Sequence, residues 1–450
     1  MNYFDEFFSI IQAHLLFYVL LLIIVSISYI ILLKKLVDSL IDPIVLMIVA
    51  CIFSTTNVIF MIIFNMIEIK FFYQFIATEG ALIIGMMISG RNKSNKIQII
   101  VDKFNGKFFN LISDEFIRIS YFITAILFNV CAAILFVKVG VQIGNPYRIN
   151  GLYNSGIYYT IISNILPIYL LIMLYRSERK KNKVGFYIDI INFSIVLLFI
   201  LLIEASKSNL LILVNVLFFY IIYLKNSNRD AKADVLKKGG YIILSLAVVL
   251  AIFMSVVSSI SGSIKGGIDY FLYRLVAFGD VYPMYYMSNA QIVDTSPLDG
   301  IKLIVGPLIS VIQLPFKVMG IQLEIDKPLG FGIQLYQYLF KSEYIAGPNS
   351  RHNVFSIVYF GNFFGVFFSL FIGYILGLIK KYMSKITREN IIGTIIYMII
   401  LSGFISSVAD PAFGISRMII QLAYILSLYI FVTVIVKIVN NKAKNEKLMR

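Results

Sequence analysis

Residues 347–381 read "GPNSRHNVFSIVYFGNFFGVFFSLFIGYILGLIKK". A polar head containing Arg351 and His352 leads into an apolar run over 353–379, and two lysines close it. About twenty apolar residues cross the hydrocarbon at 1.5 Å per residue, so this run predicts a membrane helix. Ten more such runs lie near 14–33, 43–64, 70–89, 112–137, 157–175, 184–203, 208–224, 240–258, 391–408 and 412–436. The chain is 59% hydrophobic and 14% charged, whereas soluble domains carry about 25% charged residues. The expected fold class is an all-α polytopic membrane protein with about eleven transmembrane helices. Strands that alternate over about ten residues, the mark of a membrane barrel, are missing.

The net charge of +15 does not indicate nucleic acid, because the basic residues cluster between the runs. With the N-terminus outside, one set of connecting segments carries more than twice the Lys and Arg of the other, as the positive-inside bias requires. That orientation puts the C-terminus in the cytoplasm. No cleavable signal is expected, since "MNYFDEFFSIIQAH" is acidic. Cys51 and Cys131 both lie in apolar runs, which implies no disulfide framework.

The expected organisation is helices over 1–258, a large extracytoplasmic loop over 259–352, and helices plus a cytoplasmic tail over 353–450. The loop holds six of the ten prolines and many tyrosines. Within it "GGIDYFLYRLVAFGDVYPMYYMSNAQ" has helical spacing, and "GFGIQLYQYLFKSEY" suits a short amphipathic helix. "LIVGPLISVIQLPFKVMG" is broken by prolines and reads as interfacial or re-entrant.

Cations gather at the outer ends of this topology: Lys207 in a tight turn, Arg274 early in the loop, Arg351 with His352 at its end, and Arg417 opening the last run. Such a set suits transfer from a lipid-linked pyrophosphate. Arginine offers the anion a planar donor fork, and those contacts strengthen as charge develops on the leaving group. Neutral histidine suits the base for an acceptor hydroxyl. Each cation also has a simpler role, snorkelling from a helix end or meeting phospholipid headgroups. Convergence on one face beside the only sizeable loop is what favours a site.

Glu79, mid-run, is the rival site, with Asp189, Asn192 and Asn57 inside other runs. Intramembrane carboxylates mark ion or proton pathways. Without an apparent mate, Glu79 reads first as a packed hydrogen-bond partner. The sequence has no P-loop, HExxH, CxxC or GxSxG pattern, so it suggests no zinc site and no nucleotide fold.

Three segments resemble the O-antigen and capsule repeat-unit polymerases, relatives of the O-antigen ligases. "EASKSNLLIL" resembles their short loop, with Lys207 where the family has arginine. "RLVAFGDVYPMYY" resembles their early-loop arginine and Gly-Asp pair, at Arg274, Gly279 and Asp280. "GPNSRHNVFSIVYFGNFFGVFFSLFIG" resembles the end of their loop, with His-Asn before a "YFG…G" helix. The resemblance implies a fold similar to the GT-C membrane glycosyltransferases, at the outer face of the bacterial inner membrane. It implies undecaprenyl-pyrophosphate-linked oligosaccharides as donor and acceptor, with no cofactor and no metal, and a chain-length regulator and a flippase as partners. It makes His352 the base. Lys207, Arg274, Arg351 and Arg417 hold the pyrophosphate, and Asp280, Tyr285 and Asn353 touch substrate. The related ligase uses the same donor with another acceptor. A lipid-oligosaccharide flippase is the alternative from a different class.

Overall fold

Buried in lipid, a backbone must satisfy its own N–H and C=O groups, and one-segment helices do so. The computed structural model describes residues 3–91, 114–142, 145, 151–152, 155–179, 183–204, 207–258, 264–288, 295–306, 328–341, 347–382 and 391–448. No strand occurs among them. The helices are α1 (Tyr3–Ala13), α2 (Leu15–Leu33), α3 (Pro43–Ile63), α4 (Ile69–Arg91), α5 (Asp114–Val139), α6 (Ile157–Arg179), α7 (Lys183–Leu198, continued as a π-helix over Phe199–Glu204), α8 (Lys207–Asn226) and α9 (Asp230–Ser258). They continue as α10 (Ile264–Val276), α11 (Val281–Tyr286), α12 (297–306), α13 (Phe331–Phe340), α14 (His352–Tyr382), α15 (Ile391–Ala409) and α16 (Pro411–Leu448).

Every apolar run predicted from sequence falls on one of these helices. Among the described residues nine are long and apolar enough to cross a membrane, so the chain is a multi-pass membrane protein. The two loop segments with helical spacing form α10 and α13. The proline-broken segment lies, beyond residue 306, outside the described residues.

The chain falls into two compact units, one of Met1–Ser94, Ile268–Met383 and Ile400–Ile419, the other of Asn95–Gly267, Ser384–Ile399 and Ile420–Arg450. The described part of the large loop beyond residue 267 therefore packs with helices from both ends of the chain. In this first unit α4 and α14 run side by side in one direction. Gln74 Nε2 donates to Asn362 Oδ1 near their starts (2.8 Å). Farther along, a Cβ at Gly85 would strike the Leu370 carbonyl, and one at Gly373 the Leu82 carbonyl. Only residues without side chains let the two backbones approach this closely.

α14 is not one straight helix. Gly361 has φ 73° and ψ 178°, a conformation open essentially to glycine alone. Residues 352–360 fold back on the following limb, so a Cβ at Gly365 would sit 2.8 Å from the Ser356 carbonyl oxygen. The Phe360 and Phe368 rings pack at 5.1 Å. In a continuous helix His352 and Ser369 would be about 25 Å apart; here they are hydrogen-bonded. The first limb is about 13 Å long, too short to cross, while the limb over 362–382 is about 31 Å. His352 therefore sits level with the middle of α4, and not at the outer mouth of a span as the sequence predicts.

The start of the loop makes a second fold-back. α10 descends to a turn at 277–280, where Asn57 Nδ2 donates to the Val276 carbonyl (2.9 Å) and Gly279 lies against Ser54, midway along α3. α11 then rises along α4, with Tyr282 against Phe75 (5.2 Å) and Tyr286 stacked on Phe71 (4.6 Å). Interrupted helix ends at this level persist only where protein covers their backbone, and the aromatic core of this unit provides that cover.

In the second unit, Asp189 accepts from Tyr121 (2.9 Å) and Ser177 (2.8 Å) and pairs with Arg176 (3.4 Å). Arg176 in turn lies 3.6 Å over the Tyr121 ring. Asp189 is thus a neutralised packing partner.

Candidate functional site

Glu79 lies halfway along α4, 3% exposed. A carboxylate there is costly unless its oxygens are fully bonded. Tyr29 of α2 donates to Oε1 (2.5 Å), and its hydroxyl also meets Thr55 Oγ1 of α3 (2.9 Å). Oε2 receives Asn353 Nδ2 (3.0 Å) and lies 3.1 Å from His352 Nε2. The other His352 nitrogen, Nδ1, lies 3.1 Å from Ser369 Oγ on the opposing limb of α14. His352, Asn353 and Ser369 are completely buried.

Asn353 ties the two fold-backs together. It donates to Thr78 Oγ1 (3.1 Å) as well as to Glu79, and its Oδ1 accepts from Tyr282 of α11 (2.7 Å). Three chain-distant helices, α2, α4 and α14, therefore meet at one carboxylate, and α11 joins them through Asn353.

Arg351 precedes this cluster with φ 49°, a left-handed backbone that a non-glycine residue adopts at a cost. Its N–H donates to the Ala409 carbonyl at the end of α15 (2.8 Å). It is 2% exposed. Its Nη2 meets the Cys51 sulfur at 3.6 Å, its Nε has no hydrogen-bond partner, and among the described residues no carboxylate lies within ion-pair distance. A buried guanidinium in that state is unusual, because burying a charge is expensive without a counter-ion. Asp280 lies half-buried at the α10–α11 turn. Burial pushes its carboxyl up to about 7, against the downward pull of Arg274 and Arg351.

The residues expected from sequence separate into groups. Arg351, His352 and Asn353 form the cluster with Glu79, and Asp280 stands beside it. Arg274 is exposed at the end of α10 and acts on Asp280 through its charge. Tyr285 packs edge-on against Phe331 (5.2 Å) and serves the aromatic core. Arg417 is half-buried in the first turns of α16, 5.8 Å from the Phe413 ring. Lys207 opens α8 in the second unit, and its side chain lies outside the described residues. His14, which precedes α2, packs at a tilt against Phe64 (4.6 Å).

Sequence reasoning missed Ser369, Tyr29, Tyr282 and Cys51, and gave Glu79 no mate. The one available signal was "FGNFFG" inside the apolar run, where a glycine beside an asparagine suits a chain reversal. Among the described residues no group of three or more His, Cys, Asp or Glu side chains could hold a metal ion.

No family model, no curated protein and no solved structure matches the chain.

Proposed function

We propose that the chain is a membrane glycosyltransferase that polymerises undecaprenyl-pyrophosphate-linked repeat units into surface polysaccharide, at the outer face of the bacterial inner membrane. One observation carries this reading. The early-loop segment with Arg274, Asp280 and Tyr282 and the loop-end segment with Arg351, His352 and Asn353 are those of the resemblance, and Tyr282 and Asn353 join them at 2.7 Å. An arginine with an unfilled Nε beside a histidine is what an anionic donor and a hydroxyl acceptor require. Because His352 is sealed, substrate must part the 352–360 limb from its neighbours before the base is reached.

The test uses purified protein and lipid-linked repeat units in detergent, without nucleotide sugar. A product ladder that is lost in a folded His352→Ala variant supports the reading. An undiminished ladder in the variant removes His352 from the chemistry, and no ladder from the wild type removes the polymerase.

The contact between Glu79 and His352 favours a second reading, a proton-coupled flippase for the same lipid-linked substrate. Paired titratable groups inside a membrane bundle are the usual element of such relays. Proteoliposomes that translocate the lipid only under a pH gradient, and lose this with Glu79→Gln, would establish it.

A further inference from the structure

We propose that Glu79 is the positioning residue for His352: it takes the Nε2–H, so that Nδ1 is the nitrogen that carries the lone pair. Donor counting supports this assignment. Oε1 is occupied by the Tyr29 hydroxyl and Oε2 by the Asn353 amide, and both groups donate. An ionised carboxylate only accepts, so in that form the histidine nitrogen 3.1 Å from Oε2 bears the proton. In the neutral ring Nδ1 is then the acceptor and Ser369 the donor, at 3.1 Å.

The arrangement fixes more than a tautomer. The ring is clamped at both nitrogens, between α4 on one side and the second limb of α14 on the other. Nε2 is tied off inside the bundle. Any hydroxyl that gives its proton to His352 gives it to Nδ1, and enters by displacing Ser369 or through it. This consequence for catalysis rests on the polymerase reading; the tautomer does not. Glutamine at 79 keeps the shape but has a single acceptor oxygen; with that oxygen towards Tyr29, its amide donates to Nε2 and favours the Nδ1–H form. In a Ser–His–Asp triad, a carboxylate-to-amide change of that kind costs about 10⁴-fold in turnover with the geometry intact.

The chain has only two histidines, so the measurement is direct. Protein labelled with ¹⁵N-histidine and carrying His14→Gln gives one imidazole to observe by NMR in lipid nanodiscs. The expected spectrum has Nε2 protonated and Nδ1 bare. Glu79→Gln should shift the population towards Nδ1–H, and Glu79→Asp should retain the original form. A wild-type spectrum with Nδ1 protonated overturns the proposal. Should Glu79→Gln fail to fold, the wild-type and Glu79→Asp spectra still decide. In the ladder assay Glu79→Gln should lower kcat by about 10³–10⁴-fold, leaving KM for the lipid-linked unit within about twofold. The expected spectrum from a protein that makes no ladder upholds the tautomer and refutes the polymerase.

Discussion

Gly361→Ala tests the central structural feature, because its sign depends on the fold. At φ 73° and ψ 178° an alanine costs about 1–3 kcal/mol in backbone strain. Nothing lies within 4 Å of the added Cβ, so no steric clash enters. Alanine also narrows the unfolded ensemble, which returns about 0.4–1 kcal/mol. The net expectation is a loss of about 1–2 kcal/mol. Were 352–382 a continuous helix, alanine would instead stabilise by about 1 kcal/mol. Denaturant titration in mixed micelles reads the sign. A second assay is independent of energy. Ser356 and Ser369 hydroxyls lie 3.5 Å apart across the hairpin, but would be about 20 Å apart along a continuous helix. The double variant Ser356→Cys/Ser369→Cys, with Cys51 and Cys131 changed to serine, should oxidise to an intramolecular disulfide visible by mass spectrometry. A stabilised Gly361→Ala protein and cysteines that stay reduced would together refute the hairpin.

Other substitutions report on the same unit. Asp280 titrates near 7 in the folded protein but near 3.9 when unfolded, so the folded state holds a proton that the unfolded state releases. The Asp280 contribution to stability is then greatest below about pH 4, falls as pH rises towards 7, and levels off above it, by at most about 4 kcal/mol. Thermal unfolding at pH 5 and pH 8 should show this fall, and Asp280→Asn should flatten it. Gly373→Leu, placed against the Leu82 carbonyl, should prevent the α4–α14 approach and abolish a folded monodisperse peak on size exclusion. Arg351→Met removes an incompletely bonded buried cation. It should cost less stability than Glu79→Ala, which strips the acceptor from His352, Asn353 and Tyr29 at once, by about 3 kcal/mol or more; paired denaturant curves decide this.

Apolar run length was enough to predict the helices, because lipid leaves a twenty-residue apolar segment no other way to satisfy its backbone. The short loop helices α10 and α13 were legible for the same local reason, apolar spacing on one side. Arg351, His352 and Asn353 could be singled out by residue type and by their place ahead of an apolar run. Their depth could not. Hydropathy averages over a window, and Gly361 is apolar enough to vanish into it, so a hairpin and a single span look the same.

The membrane class, the helices and the residues worth watching were thus legible along the chain. Packing set the rest: the loop's two ends fold back to the middle of α3 and α4, and Glu79 has His352 as its mate 273 residues away. The difference lies in the range of the forces involved. Backbone satisfaction and apolar transfer act over a few turns and can be read along the chain. The bonding of one buried carboxylate is met by whichever donors the packed fold brings to it, and no spacing in the sequence records that.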